Sequence, residues 1–206
     1  MSKNIYILDP GHGGINPSTG KYVTVGKRSP KWPDGSIYYE GVGNRTIAKL
    51  VGDKLKTLNI DHRFTVDPHN WHDDALAVRT ARANALHAKE PVVYISIHSN
   101  GATTEQAHGY EIFTSPGETK SDKYATAMFQ EYAAMFPELK GRKDMSDGDP
   151  DKESCFWVLK HTNCPAMLIE TMFHSNQAEC KMLMDPVIQD KVAQAIVNGI
   201  LKIEKL

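Results

Sequence analysis

The chain has 206 residues, 40% of them apolar, with 24 basic and 25 acidic side chains and a formal charge of −1. That length fits one domain with a substantial core, so a single domain over 1–206 is expected. The near-zero charge gives no footing for nucleic acid as a partner, and no apolar stretch approaches the roughly 20 residues that span a membrane.

The N-terminal MSKNIYILDP enters a strand-like run at once and lacks the basic, apolar and small-residue segments of a signal peptide, which points to synthesis in the cytoplasm. Residues 4–8, NIYIL, are β-branched and aromatic and run into the glycine-rich turn DPGHGG. Residues 15–37 lack periodicity, and so long a loop in a compact domain is usually functional. Residues 43–58 place Ile47, Leu50, Val51, Leu55 and Leu58 at helical spacing. A short strand is expected around HRFTV. Asp73 or Asp74 is expected to cap a helix running to about His87, with Leu76, Val78, Ala83 and Leu86 as apolar positions. VVYISI reads as a strand covered on both faces, and HGYEIFT as another.

KSDKYATAMFQEYAAMF reads as a helix stopped by the following proline. Gly141 to Glu153 is charged and rich in Gly and Asp, as a surface loop would be. FWVLK is short enough to be strand or helix, and AMLIE is a buried strand. The chain closes with a helix from about Pro186 to Ile203, striped by Val187, Ile188, Val192, Ile196 and Ile200. Alternating strands and helices predict an α/β sandwich with helices on both faces of the sheet. In such folds ligands bind beyond the carboxyl ends of the strands. The three cysteines, Cys155, Cys164 and Cys180, are odd in number, show no CxxC and read as reduced thiols.

Four polar residues stand where an apolar run ends or a helix begins: His12 in IYILDPGHGG, Glu40 in IYYEGVGNRT, His98 in VVYISIHSNG and Glu170 in PAMLIETMFHSN. Two histidines and a carboxylate are a catalytic zinc set with an open fourth position. His12, Glu40 and His98 supply that set, with one ion expected. A metal there lowers the pKa of bound water from about 15.7 to about 7, and Glu170 is then the base that accepts the proton. Gly11, Gly13 and Gly14 are expected to let the turn swing the His12 imidazole clear of the backbone, and to admit substrate. His108 and His174 each sit by a strand end and are candidates for contacting substrate or orienting a ligand.

Competing motifs are thin. GHGG is not GxGxxG, and there is no HExxH. His161 and Cys164 have metal-like spacing but no second pair. Ser99 beside His98 on a strand points the other way, so a serine triad has no support.

DPGHGG, then a glutamate opening a helix, then ISIHSN, then PAMLIETMFHSN, together resemble the zinc-dependent N-acetylmuramoyl-L-alanine amidases of the Amidase_3 type. The resemblance extends to LAVRTARAN and to the terminal IQDKVAQAIVNGI helix. It implies a mixed, mostly parallel sheet of six strands and one zinc ion. It also implies hydrolysis of the amide between the lactyl group of N-acetylmuramic acid and L-alanine in peptidoglycan. His12, Glu40 and His98 match the family's zinc ligands, Glu170 its catalytic glutamate, and Asn100 a position at the rim of the site. The loops at 15–37 and 114–156 depart from the family pattern and are expected to shape the substrate groove. Without a signal or a wall-binding module, the chain is expected to act as a phage-type lysin, an endolysin released by a holin and working as a monomer, ahead of a spore or autolytic enzyme exported by other means. Two other readings stay open: a zinc peptidase that cuts the stem peptide, marked by an arginine free to clamp a terminal carboxylate, and a wall-binding protein on an inactive scaffold.

Overall fold

The structure is a computed structural model that describes residues 2–206. Strand β1 (Ile5–Pro10) leads through a long irregular segment to helix α1 (Glu40–Thr57). Then come β2 (His62–Phe64), α2 (Leu76–His87), β3 (Val92–Asn100), β4 (Glu111–Thr114) and α3 (Lys120–Met135). The chain ends with β5 (Lys152–Glu153), α4 (Trp157–Lys160), β6 (Ala166–Phe173), α5 (Gln177–Met184) and α6 (Pro186–Ile203).

The six strands form one sheet in the order β2-β1-β3-β6-β4-β5. All neighbours are parallel except β4 and β6, so the sheet is mixed and mostly parallel, as expected. One face carries the larger core. There Leu8, Ile95 and Ile97 meet Ile47 and Val51 of α1, Met128 of α3 and Ile196 and Ile200 of α6. The other face packs Ile7, Tyr94 and Leu168 against Ala83 of α2 and Val158 and Leu159 of α4. Helices therefore cover both faces, which is why β3 reads as a continuous apolar run. No helix among the described residues is long and apolar enough to cross a membrane.

Several details differ from the sequence reading. Helix α1 begins at Glu40 itself, three residues before the apolar pattern becomes visible. Helix α2 has no side-chain cap, because Asp73 and Asp74 are drawn to Arg79 and Arg82 instead. Leu76, Val78 and Val187 lie on the outer surface of their helices, and Ala83 and Val192 carry the burial. FWVLK resolves as a helix turn, α4. Strand β5 is two residues long and α5 only eight, too short for their patterns to stand out in the sequence. By contrast, α3 shows a full capping box between Thr119 and Asp122, and α6 starts at Pro186 under an Asp185 cap.

Candidate metal centre and its buried carboxylate

The site grows from one end of the sheet. Strand β1 stops at Pro10 and the chain turns away from the sheet. The residue in the left-handed region is His12 itself, with φ 66°; Gly11, Gly13 and Gly14 are not in that region. The glycines serve close packing instead. A Cβ on Gly11 would lie 2.1 Å from Cε1 of His98, so the β1 exit must be bare for that imidazole to lie across it. A Cβ on Gly41 would lie 2.0 Å from the Gly13 carbonyl, so the start of α1 and the turn are in direct backbone contact.

The unfavourable His12 backbone is held by two guanidinium groups. Arg45 and Arg79 both donate to the His12 carbonyl, and Asn44 donates to the carbonyl of Gly11 at 3.2 Å. Arg79 also reaches back into the sheet, where Nη1 donates to Asp9 Oδ1 and to the Pro10 carbonyl, each at 2.8 Å. Asp9 is buried and accepts further hydrogen bonds from Thr65 and Ser96. Burial pushes the Asp9 carboxyl up, but the Arg79 charge and the three donors outweigh it and hold it below the usual carboxylate range.

Glu40 occupies the first turn of α1, where the helix N-terminus favours negative charge. Its Oε1 lies 3.2 Å from Nε2 of His12 and 3.0 Å from Nδ1 of His98. Burial alone would raise its pKa; the two imidazoles reverse this and hold it well below the usual range. The same contact raises His98, with Glu40 overcoming the effect of burial. The three donor atoms all lie within 4.8 Å of one another. Ligand distances near 2.1 Å in a tetrahedron imply donor separations of about 3.4 Å, close to the two contacts to Glu40. Residue types and spacing therefore fit a metal such as zinc.

The catalytic-carboxylate candidate is set by strand register. Glu170 of β6 is the lateral partner of His98 in β3, and Glu111 of β4 is the partner of Glu170 on the other side. Three ionisable residues thus share one rung of the sheet. Glu111 is neutralised by Arg142 and by Lys152 at 2.6 Å. Glu170 has no such partner: its Oε2 is shielded from solvent and makes no hydrogen bond. Burial is the main cause that pushes the Glu170 carboxyl up to about 8; His98 opposes this and Glu40 adds to it.

A cavity of about 840 Å³ opens over this rung. It is lined by His12, Glu40, His98 and Glu170, and also by Asn100 and His174. His108 lies outside it, with its ring turned to the Gln106 carbonyl. His174 is buried beside Ser99, its Nδ1 3.1 Å from the hydroxyl, and burial lowers its pKa toward the neutral imidazole. The 15–37 loop supplies Lys27 and Arg28 to one wall, and the segment after β5 supplies Phe156 and Trp157. Sequence reasoning missed Glu111, Lys27 and Arg28. For Glu111 the available signal was an acid inside the apolar strand pattern of HGYEIFT. For Lys27 and Arg28 there was none, because a loop has no period.

Gly11→Ala is expected to displace the His98 ring and weaken metal binding by about 10–100-fold, the range for lost ligand-orienting contacts. Metal content after dialysis checks this, and a variant that keeps its metal at wild-type affinity would contradict the packing argument.

The family model for Amidase_3, N-acetylmuramoyl-L-alanine amidase, matches residues 7–202. The N-acetylmuramoyl-L-alanine amidase AmiA of Salmonella typhimurium is 26% identical over 97% of this chain and 76% of its own length. An endolysin of Bacillus phage SPP1 is 24% identical over 100% of this chain and 68% of its own. Among solved structures, the catalytic domain of CwlV, the amidase from Bacillus (Paenibacillus) polymyxa, superposes with a TM-score of 0.76 at 25% identity, covering 97% of each chain. Ami1 of Mycobacterium smegmatis gives 0.78 at 24% identity, covering 99% of this chain and 98% of that one. With the family model spanning nearly the whole chain, and the mixed six-stranded sheet in place, this chain belongs to the N-acetylmuramoyl-L-alanine amidase family.

Proposed function

We propose that this chain, as a single catalytic domain, hydrolyses the amide between the lactyl group of N-acetylmuramic acid and L-alanine in peptidoglycan. In this reading one zinc ion is held by His12, Glu40 and His98, and Glu170 is the general base. The observation that carries it is the sheet rung: register sets Glu170 beside His98, while His12 and Glu40 close on the same point.

Zinc at that position supplies Lewis-acid polarisation of the scissile carbonyl and lowers the pKa of water. The protein does the rest. Glu170, with its proton affinity raised by burial, takes a proton at the unpartnered Oε2 and hands it to the departing amine of L-alanine. Arg142 and Lys152 keep the Glu111 charge from adding strongly to that of Glu170. Asn100 and the neutral His174 line the cavity within reach of a bound stem, and Lys27 and Arg28 suit its carboxylates. The phage endolysin and bacterial amidases among the relatives support action at the cell wall.

The peptidase alternative needs an arginine free to clamp a terminal carboxylate. Arg79 lines the cavity, but it is 1% exposed and committed to Asp9, Asp73 and backbone carbonyls. Arg142 is committed to Glu111 and Arg82 to Asp74. Arg28, exposed on the cavity wall, makes no ion pair among the described residues and is the arginine left for that role, so the mass of the product separates the two readings. An inactive scaffold would lack a ligand or the base, and all four residues are present. Purified sacculi treated with zinc-loaded protein are expected to release new L-alanine amino termini. Their absence, with zinc bound, would sink the amidase reading.

A further inference from the structure

The catalytic cavity has two walls of different chemistry, drawn from elements on opposite faces of the sheet. On the α1 side the wall is cationic. Lys27 and Arg28 are exposed there, in the loop whose Trp32 and Tyr38 pack into the larger core. Neither makes an ion pair among the described residues. On the α2 and α4 side the wall is apolar. Leu76, Phe156 and Trp157 line it and are 50%, 40% and 43% exposed, although the next residues, Val158 and Leu159, are buried in the smaller core. Large apolar side chains left bare together at the mouth of a catalytic cavity mark a surface that a ligand covers. The Trp157 ring is also held in place. His161, one turn on, stacks on it with ring centroids 3.7 Å apart and an interplanar angle of 11°, and its Nδ1 lies 3.0 Å from the Trp157 carbonyl. Phe156 is fixed edge-on against Phe113 of β4, at 5.2 Å and 74°. Asp73, just before α2, adds a carboxylate to the same side.

We propose that Trp157, with Phe156 and Leu76 beside it, is the platform for the muramic sugar ring, so that this wall takes the glycan side of the scissile amide and Lys27 and Arg28 take the stem side. This assignment rests on the amidase reading of the site and adds to it the direction in which substrate lies. The lactyl–alanine amide is planar and trans, so its two substituents leave the carbonyl in opposite directions. They also differ in chemistry. The stem carries carboxylates, which pair with lysine and arginine. The sugar is neutral, with C–H faces that pack on an aromatic ring and hydroxyls that seek acceptors. Asp73 supplies such an acceptor and repels a second anion, which sends the stem carboxylates to the other wall. An indole already fixed by His161 loses little freedom when a sugar covers it.

Two substrates test this on the zinc-loaded protein: a muramyl tripeptide, and the same tripeptide acylated by lactic acid alone, which keeps the scissile amide and lacks the sugar ring. Relative to its effect on the lactyl substrate, Trp157→Ala is expected to lower kcat/KM for the muramyl one about tenfold, mostly through KM. Trp157→Phe should restore most of that difference. Arg28→Ala should weaken both substrates alike, because the stem is common to them. A stem-free disaccharide of N-acetylglucosamine and N-acetylmuramic acid, followed through the indole N–H resonances, gives a readout independent of cleavage. At millimolar disaccharide the Trp157 resonance should shift while that of the buried Trp32 stays in place. If the wild type cuts neither substrate, the amidase reading fails, and the disaccharide shift still decides the platform. An unmoved Trp157 resonance, or equal losses on both substrates in Trp157→Ala, would overturn the proposal.

Discussion

Glu170→Ala is expected to lower turnover by about 10²–10⁴-fold while leaving the bound metal in place. The separation of the two effects follows from the geometry. Glu170 stands on the neighbouring strand to His98 and is not among the three convergent donors. Its Oε2 makes no hydrogen bond, so removing it leaves no partner stranded and little else should change. Glu170→Gln should be as inactive as the alanine variant, because it keeps the shape and loses the base. His12→Ala and His98→Ala should instead lose zinc and activity together. Metal content and initial rates, measured on the same preparations, check the pattern. A Glu170 variant within tenfold of wild-type turnover would remove it from the role of base.

Arg79→Met is expected to have the largest effect on stability, about 3–5 kcal/mol, or a fall in Tm of roughly 10 °C. The guanidinium spans the Asp9 carboxylate, the Pro10 and His12 carbonyls and Asp73. Its loss strands a buried carboxylate and loosens the left-handed His12. The pH dependence carries a sign. In the wild type Asp9 has a depressed pKa, so its contribution is complete above the unfolded value of about 3.9 and is lost as pH falls through the folded one. In Arg79→Met the stranded Asp9 rises above its unfolded value and is relieved by protonation. The deficit of the variant should therefore be greatest at neutral pH and shrink as the medium is acidified. Denaturant titrations of both proteins between pH 7 and pH 4 test this; a deficit independent of pH would mean that Asp9 is not the group left uncompensated.

What the sequence made legible was whatever has a period or a punctuation mark. Helix α6 shows its apolar spacing and its proline at the first turn, and it runs from Pro186 to Ile203, where the pattern placed it. Strand β3 is apolar on both faces and could not be mistaken. The four chemical residues stood out because each interrupts or ends such a run. What the sequence hid was pairing. That His98, Glu170 and Glu111 share a rung depends on register between β3, β6 and β4, which are separated along the chain. Asp73 and Asp74 looked like caps because an aspartate before an apolar helix usually is one. Arg79 and Arg82, further along the same helix, outcompeted the backbone for them. The glycines of GHGG suggested freedom of the turn, whereas the structure uses Gly11 for contact and puts the unusual φ on His12. Strand β5 lies in a stretch whose only visible property was charge.

The most direct test of the account is mass spectrometry of a defined muropeptide, digested by the zinc-loaded protein with Glu170→Gln in parallel. The account predicts a free stem peptide and an intact sugar bearing its lactyl group, formed by the wild type alone. Cleavage between amino acids of the stem, or equal product from the Glu170→Gln variant, would contradict it.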